Sequence, residues 1–287
     1  MKYGLIGIGL IGRPLAEKIM EANYSLNIYN RTKSKLVDLK IKDGNVYSNI
    51  VKIVKDSDTV LLMLSDNDAI NEVLFNSNIG NYEGKTIIQM GTIAPEESLE
   101  IGRRVTKMGG NYFEAPVLGS IPQIKNGELI VLVGGDIEYY NRWKSFFSVF
   151  SNKVLHIGKV GDASAMKLAL NQLIISETVA FSMSIGYLRE KKINTETFMQ
   201  ILRGSALYAP TFDKKLPNML ERNFENPNFP LKHLLKDLDL ILGEFGENDI
   251  NASSLKGARK VLLDAIELGL AENDYSALYN SIHKFKK

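Results

Sequence analysis

Short apolar runs alternate with amphipathic stretches through the first half of the chain. This alternation is typical of parallel strands that are covered by helices. The run Val60-Leu61-Leu62-Met63-Leu64 contains no polar residue, which indicates a central strand buried on both faces. Strands are predicted over residues 3–6, 26–29, 59–64, 86–89, 112–115, 129–133 and 154–156, and helices over 11–22, 33–39, 95–108 and 136–150.

Helical patterns replace the strands after Gly161. Apolar residues recur at helical spacing over residues 163–190, which predicts one long helix. We therefore predict an α/β domain over residues 1–161 and an all-helical domain over residues 162–287, joined by this helix. Further helices are predicted over 195–203, 231–245, 253–268 and 275–285, and the proline-containing segment 207–229 is predicted to be a loop.

The last two predicted helices have apolar faces that are large for a small helical domain. Residues 253–268 and 275–285 carry more apolar surface than such a domain is expected to bury alone. We therefore expect these helices to take part in a homodimer or a homotetramer.

Composition and charge exclude several classes of function. Lys and Arg total 35 against 33 acidic residues, whereas nucleic-acid binding requires a concentrated basic patch. The chain has no cysteine, which rules out disulfides and thiolate metal sites, and its three histidines are too scattered to predict a metal site. No uninterrupted apolar stretch approaches the ~18 residues of a membrane-spanning helix, and the N-terminus lacks a signal-peptide pattern. We expect a cytoplasmic protein that binds neither nucleic acid nor membrane.

A glycine-rich segment lies between the first predicted strand and the first predicted helix. Glycines at this spacing permit a tight turn, close approach of the backbone to a pyrophosphate, and close packing of helix on strand. The following helix directs its N–H groups and positive dipole end at the phosphate. An ordinary glycine-rich turn is the alternative, and the position between strand and helix argues against it. The segment reads Gly7-Ile8-Gly9-Leu10-Ile11-Gly12.

The end of the second predicted strand indicates which dinucleotide binds. An NAD site usually has an acidic residue here for the ribose 2′-hydroxyl, but this chain has the neutral Asn30. Arg31 can pair with a 2′-phosphate, Thr32 can donate a hydrogen bond to it, and Lys35 can add positive charge. A solvated turn with Thr32 as a helix cap is the alternative, but it does not explain the missing acid. We therefore predict that NADPH is preferred over NADH.

Two segments carry candidate substrate-binding and catalytic groups. Gly119 and Ser120 follow a strand, where backbone and hydroxyl can bind a carboxylate, although such a pair is also common in turns. Lys167 and Asn171 are four residues apart in the long predicted helix and share one face. A lysine among apolar residues can act as an acid or base, and Asn171 can hold its ammonium or the substrate oxygen. On the residues alone, a solvated helix lysine is the competing interpretation.

These motifs, in this order and spacing, resemble the β-hydroxyacid dehydrogenase family over nearly the whole chain. The family includes 3-hydroxyisobutyrate dehydrogenase, 6-phosphogluconate dehydrogenase, tartronate semialdehyde reductase and glyoxylate/succinic semialdehyde reductase. The resemblance implies a Rossmann-type NADP-binding domain followed by an all-helical domain, and an enzyme acting on a small carboxylate substrate. Two further segments support this resemblance, Gly91-Thr92-Ile93-Ala94-Pro95 and Lys236-Asp237-Leu238.

The resemblance also implies roles for individual residues. Lys167 corresponds to the catalytic lysine, here the general acid. Ser120, with the backbone of Gly119, and Asn171 fall on substrate-binding positions. The cofactor-binding set is completed by Met63, Leu64 and Ser65 after the central strand and by Thr92 and Lys236, where cofactor and substrate meet.

Departures from the family pattern narrow the expected subgroup. Leu170 stands before Asn171, where 6-phosphogluconate dehydrogenases have His and hydroxyisobutyrate enzymes have Asn. Asn30 replaces the acid of the hydroxyisobutyrate enzymes, and Ser120 replaces the second glycine of their Gly-Gly pair. The chain looks most like the glyoxylate/succinic semialdehyde reductases, although its loop 121–126 departs from the family pattern. We predict NADPH-dependent reduction of glyoxylate, succinic semialdehyde or a related semialdehyde, without a metal.

Two other functions compete with this prediction. One is an NAD(P)-dependent 3-hydroxyisobutyrate-type dehydrogenase that works in the oxidative direction. The other is a non-catalytic dinucleotide-binding or chromatin-associated module, because a fold can be reused without its chemistry. The presence of Lys167 beside Asn171, and the lack of an appended basic region, argue against such a module.

Overall fold

The computed structural model describes residues 1–284, which form two compact units. The first unit ends at Leu168 and the second begins at Ala169. The division therefore falls inside the long helix, about two turns after the domain boundary that the sequence predicts at Gly161.

The first unit is built on a nine-stranded sheet within the described residues. Its strands are β1 (Tyr3–Ile6), β2 (Leu26–Tyr29), β3 (Val46–Tyr47), β4 (Thr59–Leu62), β5 (Thr86–Gln89), β6 (Asn111–Glu114), β7 (Val117–Leu118), β8 (Leu129–Gly134) and β9 (Ser151–Gly158). The order across the sheet is β3-β2-β1-β4-β5-β6-β8-β7, and β9 pairs with β8. The first six strands in this order are parallel and have the Rossmann arrangement.

Alternating side chains of the central strands enter two separate cores. Leu5, Leu61 and Ile88 are aligned in register and pack in one core. Ile6 and Leu62, also in register, belong to the other. All of these side chains are buried, so the prediction that the central strand is covered on both faces is confirmed.

Helices cover this sheet, and several were absent from the sequence prediction. The predicted first and third helices are α1 and α4, whereas residues 33–36 form only a short 3₁₀ helix. The unpredicted helices are short, and each lies in a connection between strands. The six helices of this unit that precede the long helix are α1 (Gly12–Glu21), α2 (Ile50–Lys55), α3 (Asn67–Leu74), α4 (Pro95–Lys107), α5 (Ile121–Asn126) and α6 (Ile137–Phe147), counted over the described residues.

The sheet is mixed rather than purely parallel. β8 runs antiparallel to β6 and β7, and β9 runs parallel to β8. The chain reverses through the short β7 and α5 before β8, so no crossover helix covers this connection. The predicted central strand, β4, also ends earlier than expected, at Leu62, which leaves Met63 and Leu64 beyond its carboxyl end.

The second unit is helical in its described residues. The long helix α7 (Asp162–Glu190) begins in the first unit and continues into the second. The other elements of the second unit are α8 (Thr195–Arg203), α9 (Pro210–Glu221), α10 (Leu231–Glu247), α11 (Ser253–Glu267), a 3₁₀ helix (Tyr275–Leu278) and α12 (Tyr279–Ile282).

The prediction of a loop over residues 207–229 is wrong, because α9 lies inside it. Pro210 occupies the first turn of α9, where a missing N–H costs nothing, and Pro217 is accommodated within the helix. Phe212, Leu216 and Met219 are buried, so packing of the apolar face outweighs the proline signal.

The apolar faces of the last two helices are buried within the second unit. Leu255 and Leu262 of α11 are buried, as are Leu278 and Tyr279 at the start of α12. The second unit therefore buries most of these faces itself, and the participation of the two helices in an oligomer stays a prediction. The described helix also ends at Ile282, and the predicted end at residue 285 lies outside the described residues.

By length and composition, α7 is apolar enough to cross a membrane. Part of this stretch is buried inside the protein, including Ile175, Phe181 and Ile185. The polar Asn171 and Thr178 are also buried on it and make hydrogen bonds within the second unit. Core helices of soluble proteins pass the same test, so this feature is weak evidence for a membrane span.

Candidate functional site

Two glycines of the turn after β1 are required by close backbone contacts. Gly7 has a φ of 103°, and a Cβ added there would lie 2.1 Å from the carbonyl oxygen of Met63. A Cβ on Gly12 would lie 1.9 Å from the carbonyl oxygen of Gly7. By contrast, a Cβ on Gly9 would meet no atom of the described chain within 4 Å. Gly7 and Gly12 therefore form the turn, and the space beside Gly9 is open to a ligand.

Asn30 holds this turn from the end of β2. Its side-chain Oδ1 accepts a hydrogen bond from the N–H of Ile8 at 2.9 Å. Its Nδ2 donates to the carbonyl oxygen of Thr32 at 2.8 Å. The amide thus joins the glycine turn to the segment that carries Arg31, and it places no negative charge beside the ribose position.

The basic residues after β2 are accessible. Arg31 is highly exposed and lies 3.5 Å from Glu72, a pair that solvent screens strongly. Thr32 precedes the 3₁₀ helix, but its side chain makes no capping hydrogen bond. The alternative interpretation, in which Thr32 only caps a helix, is therefore not supported. The carbonyl oxygens of Lys35 and Val37 accept hydrogen bonds from the guanidinium of Arg13.

These features fit a dinucleotide cofactor. Helix α1 begins at Gly12 without a side-chain cap, which suits a helix that offers its N–H groups to a phosphate. Met63, Leu64 and Ser65 follow β4 at the same edge of the sheet as the glycine turn, and Thr92 follows β5 there. In an open α/β sheet, ligands bind outside the carboxyl ends of the strands.

Ser120 lies at the start of α5, and its donors are engaged by a neighbouring side chain. The Ser120 N–H and O–H both donate to Oε1 of Gln123, at 3.0 and 2.7 Å. Gly119 has a φ of 130°, which favours glycine, and an added Cβ would lie 2.7 Å from Leu129. The two donors expected to bind a carboxylate therefore converge on one oxygen atom already.

Lys167 is buried in the second turn of α7. Only 8% of its surface is exposed, which is unusual for a lysine. The start of α7 is fixed by Glu114, whose carboxylate accepts hydrogen bonds from the N–H groups of Ala163 and Ser164. The interpretation of Lys167 as a solvated helix residue does not agree with this burial.

In the second unit, the buried Asn171 and Asp237 form a polar cluster with the partly buried Lys236. Asn171 Nδ2 donates to Asp237 Oδ2 at 2.7 Å, and Lys236 Nζ lies 2.8 Å from Asp237 Oδ1. Because Nδ2 is engaged, the orientation of the amide is set, and its Oδ1 is left as a buried acceptor. This oxygen has no hydrogen-bond partner among residues 1–284.

Neither the histidines nor a surface depression of the second unit adds a further candidate site. Across residues 1–284, no cluster of three or more His, Asp or Glu side chains is arranged to hold a metal ion. Burial, with help from Lys232 and Lys236, lowers the pKa of His233. A depression of about 330 Å³ on the second unit, lined by residues including Arg222 and Asn280, contains none of the predicted site residues.

Four residues, three in the first unit and one in the second, have roles that sequence reasoning did not assign. Gln123 makes a local contact with Ser120, three residues before it, whereas Arg13 bonds carbonyl oxygens more than 20 residues further along the chain. Glu114 and Asp237 act over long sequence separations, and only a fold can reveal such contacts.

Two family profiles match the chain. Residues 2–158 match the NAD-binding domain of 6-phosphogluconate dehydrogenase. Residues 161–282 match the domain described as NAD-binding of NADP-dependent 3-hydroxyisobutyrate dehydrogenase. The matches meet where β9 ends and α7 begins.

Curated relatives match over nearly their full length. Glyoxylate/succinic semialdehyde reductase 1 of Arabidopsis thaliana is 30% identical, with 100% of both chains covered. The 2-hydroxy-3-oxopropionate reductase of Escherichia coli is 28% identical over 98% of this chain and 97% of that protein. Both are named as reductases of small carbonyl acids.

A solved structure supports the fold. The 3-hydroxyisobutyrate dehydrogenase of Salmonella typhimurium superposes with a TM-score of 0.86, covering 98% of this chain and 99% of that one. Its identity to this chain is 18%, so the likeness concerns the fold alone.

We predict that Gln123 competes with small carboxylates for the Ser120 donors. Gln123→Ala should tighten binding of glycolate about two- to tenfold, since each freed hydrogen bond contributes about 0.5–1.5 kcal/mol. Gln123→Glu should weaken binding, because it places a second carboxylate at the same donors. Isothermal titration with NADP⁺ present measures both effects, and Asn126→Ala on the exposed side of α5 is the matched control. Equal affinity in all variants would show that Ser120 does not bind the carboxylate.

Proposed function

Because this chain belongs to the β-hydroxyacid dehydrogenase family of NAD(P)-dependent oxidoreductases, we propose that it reduces a small carbonyl acid with NADPH and uses Lys167 as the general acid. The substrate class is glyoxylate, succinic semialdehyde or a related semialdehyde. The observation that carries this proposal is the buried Lys167, held one turn after the anchored start of α7. Burial of a lysine is costly unless the group has a task or a partner.

The cofactor would be held by the first unit. The N–H groups at the start of α1 and the open space beside Gly9 suit its pyrophosphate. Arg31, Thr32 and Lys35 suit a 2′-phosphate, and neutral Asn30 does not repel it. When bound, the cofactor supplies the hydride, while the protein supplies position and charge.

The substrate carboxylate would bind the N–H and O–H of Ser120 beside the Gly119 backbone. Gln123 Oε1 marks the position of one carboxylate oxygen, because it already accepts from both donors. The ammonium of Lys167 then donates a hydrogen bond to the substrate carbonyl oxygen, stabilises the developing alkoxide and delivers the proton. No metal is needed in this scheme, because the ammonium polarises the carbonyl.

Asn171 would orient a donor rather than bind the carbonyl oxygen. Its Nδ2 is committed to Asp237, so its free Oδ1 can only accept a hydrogen bond. An ammonium or a product hydroxyl meets that requirement, whereas a carbonyl oxygen does not. A role for Lys236 rests on the family resemblance and on its ion pair with Asp237.

The competing functions differ in cofactor and turnover. A 3-hydroxyisobutyrate-type dehydrogenase would favour oxidation of a hydroxy acid, and the neutral Asn30 bears only on the choice between NADPH and NADH. A non-catalytic module would bind the dinucleotide without turnover. Screening NADPH oxidation with glyoxylate, succinic semialdehyde, tartronate semialdehyde and methylmalonate semialdehyde separates these possibilities.

We also propose that the protein is a homodimer or homotetramer in the cytoplasm. The supporting surface is on α7 and α8 rather than on the last two helices. Leu173, Met183 and Tyr187 of α7 are 51, 59 and 62% exposed, and Ile201 of α8 is 69% exposed. Large exposed apolar side chains are typical of contact surfaces, and three of these lie on α7.

The oligomer proposal predicts that Met183→Glu shifts the protein toward a smaller species, since a charge in an apolar contact is costly. Sedimentation velocity at micromolar concentration measures this shift, and Lys256→Glu on the exposed side of α11 is the control. A wild-type protein that sediments as a monomer would contradict the proposal.

Cofactor choice gives the next prediction. NADPH should bind more tightly than NADH, and Arg31→Ala should weaken NADPH about tenfold to a hundredfold, because a charge-assisted hydrogen bond contributes about 1.5–3 kcal/mol. NADH affinity should hardly change in this variant. Fluorescence titration of both cofactors tests this, with exposed Arg103→Ala as the control. Equal affinity for NADH and NADPH in the wild type would be evidence against the assignment.

The catalytic role of Lys167 gives the sharpest prediction. Lys167→Ala should lower kcat by roughly 10²- to 10⁴-fold, the usual contribution of general acid catalysis, while NADPH affinity is retained. Lys167→Arg should lower kcat as well, since a guanidinium keeps its proton and cannot deliver it to the substrate. Steady-state kinetics and NADPH titration on the same preparations give both quantities. Full turnover by Lys167→Ala would show that this lysine has no chemical role.

A further inference from the structure

Glu114, at the end of β6, is a fully buried carboxylate that receives five hydrogen bonds. Its Oε1 accepts from the N–H groups of Gly161, Ala163 and Ser164 at 2.9, 2.8 and 3.1 Å. Its Oε2 accepts from the hydroxyls of Ser164 and Ser98. One oxygen therefore binds the backbone at the start of α7, and the other binds two side chains.

The donors around Glu114 are arranged to hold a charged carboxylate. Burial raises the pKa of Tyr112, so this hydroxyl stays protonated and can donate to Ser98, which donates to Glu114. The N-terminal end of α7 adds the positive end of its dipole. Charge-assisted hydrogen bonds of this kind offset the desolvation that a buried carboxylate otherwise costs.

The surrounding backbone leaves space for this carboxylate. Gly134 of β8 is paired with Glu114, and a Cβ added there would lie 2.4 Å from Glu114 Oε1. Glu114 also begins the segment that leads through β7 to Ser120. It thus joins the segment that carries Ser120 to the helix that carries Lys167, and all of these contacts lie inside the first unit.

We propose that Glu114 is a positioning residue, which sets the start of α7 relative to the sheet and so places Lys167 relative to Ser120. This inference rests on the proposed function, because it assigns Glu114 the task of aligning the proton donor with the carboxylate site. Glu114 touches neither substrate nor cofactor in this role. Its action depends on the reach of the side chain, since three N–H groups must meet one oxygen.

Two substitutions separate reach from charge. Glu114→Asp keeps the charge but removes one methylene, so the oxygen no longer reaches the three N–H groups. Glu114→Gln keeps the reach: its carbonyl can face the N–H groups, and its NH₂ can donate to the two serine hydroxyls, which can rotate to accept. Positioning by reach therefore predicts that Asp is the more damaging substitution and that Gln largely preserves function.

The experiment combines kinetics with hydrogen exchange. Glu114→Asp should lower kcat roughly ten- to a hundredfold, the usual effect of a misplaced catalytic group, while the Kd for NADPH stays within about twofold. Amides in the first turn of α7 should exchange faster in the same variant. Glu114→Gln should retain slow exchange and most of kcat. Glu138→Asp, an exposed glutamate in the first turn of α6, is the matched control.

Each contrary outcome has a distinct meaning. Unchanged exchange in Glu114→Asp, faster exchange with an unchanged kcat, or loss of NADPH binding would each overturn the positioning role. A Gln variant as impaired as the Asp variant would also overturn it, because charge rather than reach would then matter. A wild-type protein that binds NADPH but reduces no carbonyl acid would contradict the proposed function, while the exchange measurement would still decide whether Glu114 anchors α7.

Discussion

A single buried carboxylate fixes the start of the helix that carries the proposed proton donor. Glu114 gathers three backbone N–H groups and two hydroxyls from segments that are distant in sequence. The first turns of α7 are therefore bonded to the sheet, in agreement with a first unit that ends at Leu168 rather than Gly161. Lys167 is thereby part of the first unit, which contains the NAD-binding domain.

A single polar side chain also joins two segments at the edge of the sheet that carries the glycine turn. Asn30 replaces the acid that many NAD sites have, and its amide bonds the glycine turn on one side and the Thr32 carbonyl on the other. One side chain thus keeps this position uncharged and also stabilises the glycine turn and the segment after β2. Arg31 remains accessible for a 2′-phosphate, since its pairing with Glu72 is exposed and weak.

Local patterns in the sequence carry much of this architecture. The alternating strands and the glycine turn were predictable, because the spacing of apolar residues and of glycines can be observed within a short stretch of sequence. Residues 210–221 were mistaken for a loop, since the packing of Phe212 and Met219 outweighs the proline signal. The role of Glu114 depends on partners 47 to 50 positions away, so no local sequence pattern predicts it.

The central claim is that this chain passes a hydride from NADPH to a carbonyl acid. Isotope transfer tests this claim most directly. The protein would be incubated with glyoxylate or succinic semialdehyde and NADPH that carries deuterium at both C4 positions, and the product analysed by mass spectrometry. The account predicts one deuterium on the carbon that bears the new hydroxyl. Lys167→Ala should form at least roughly a hundredfold less of this labelled product in the same time. Product without deuterium, or bound NADPH that is never oxidised by any of the carbonyl acids, would contradict it.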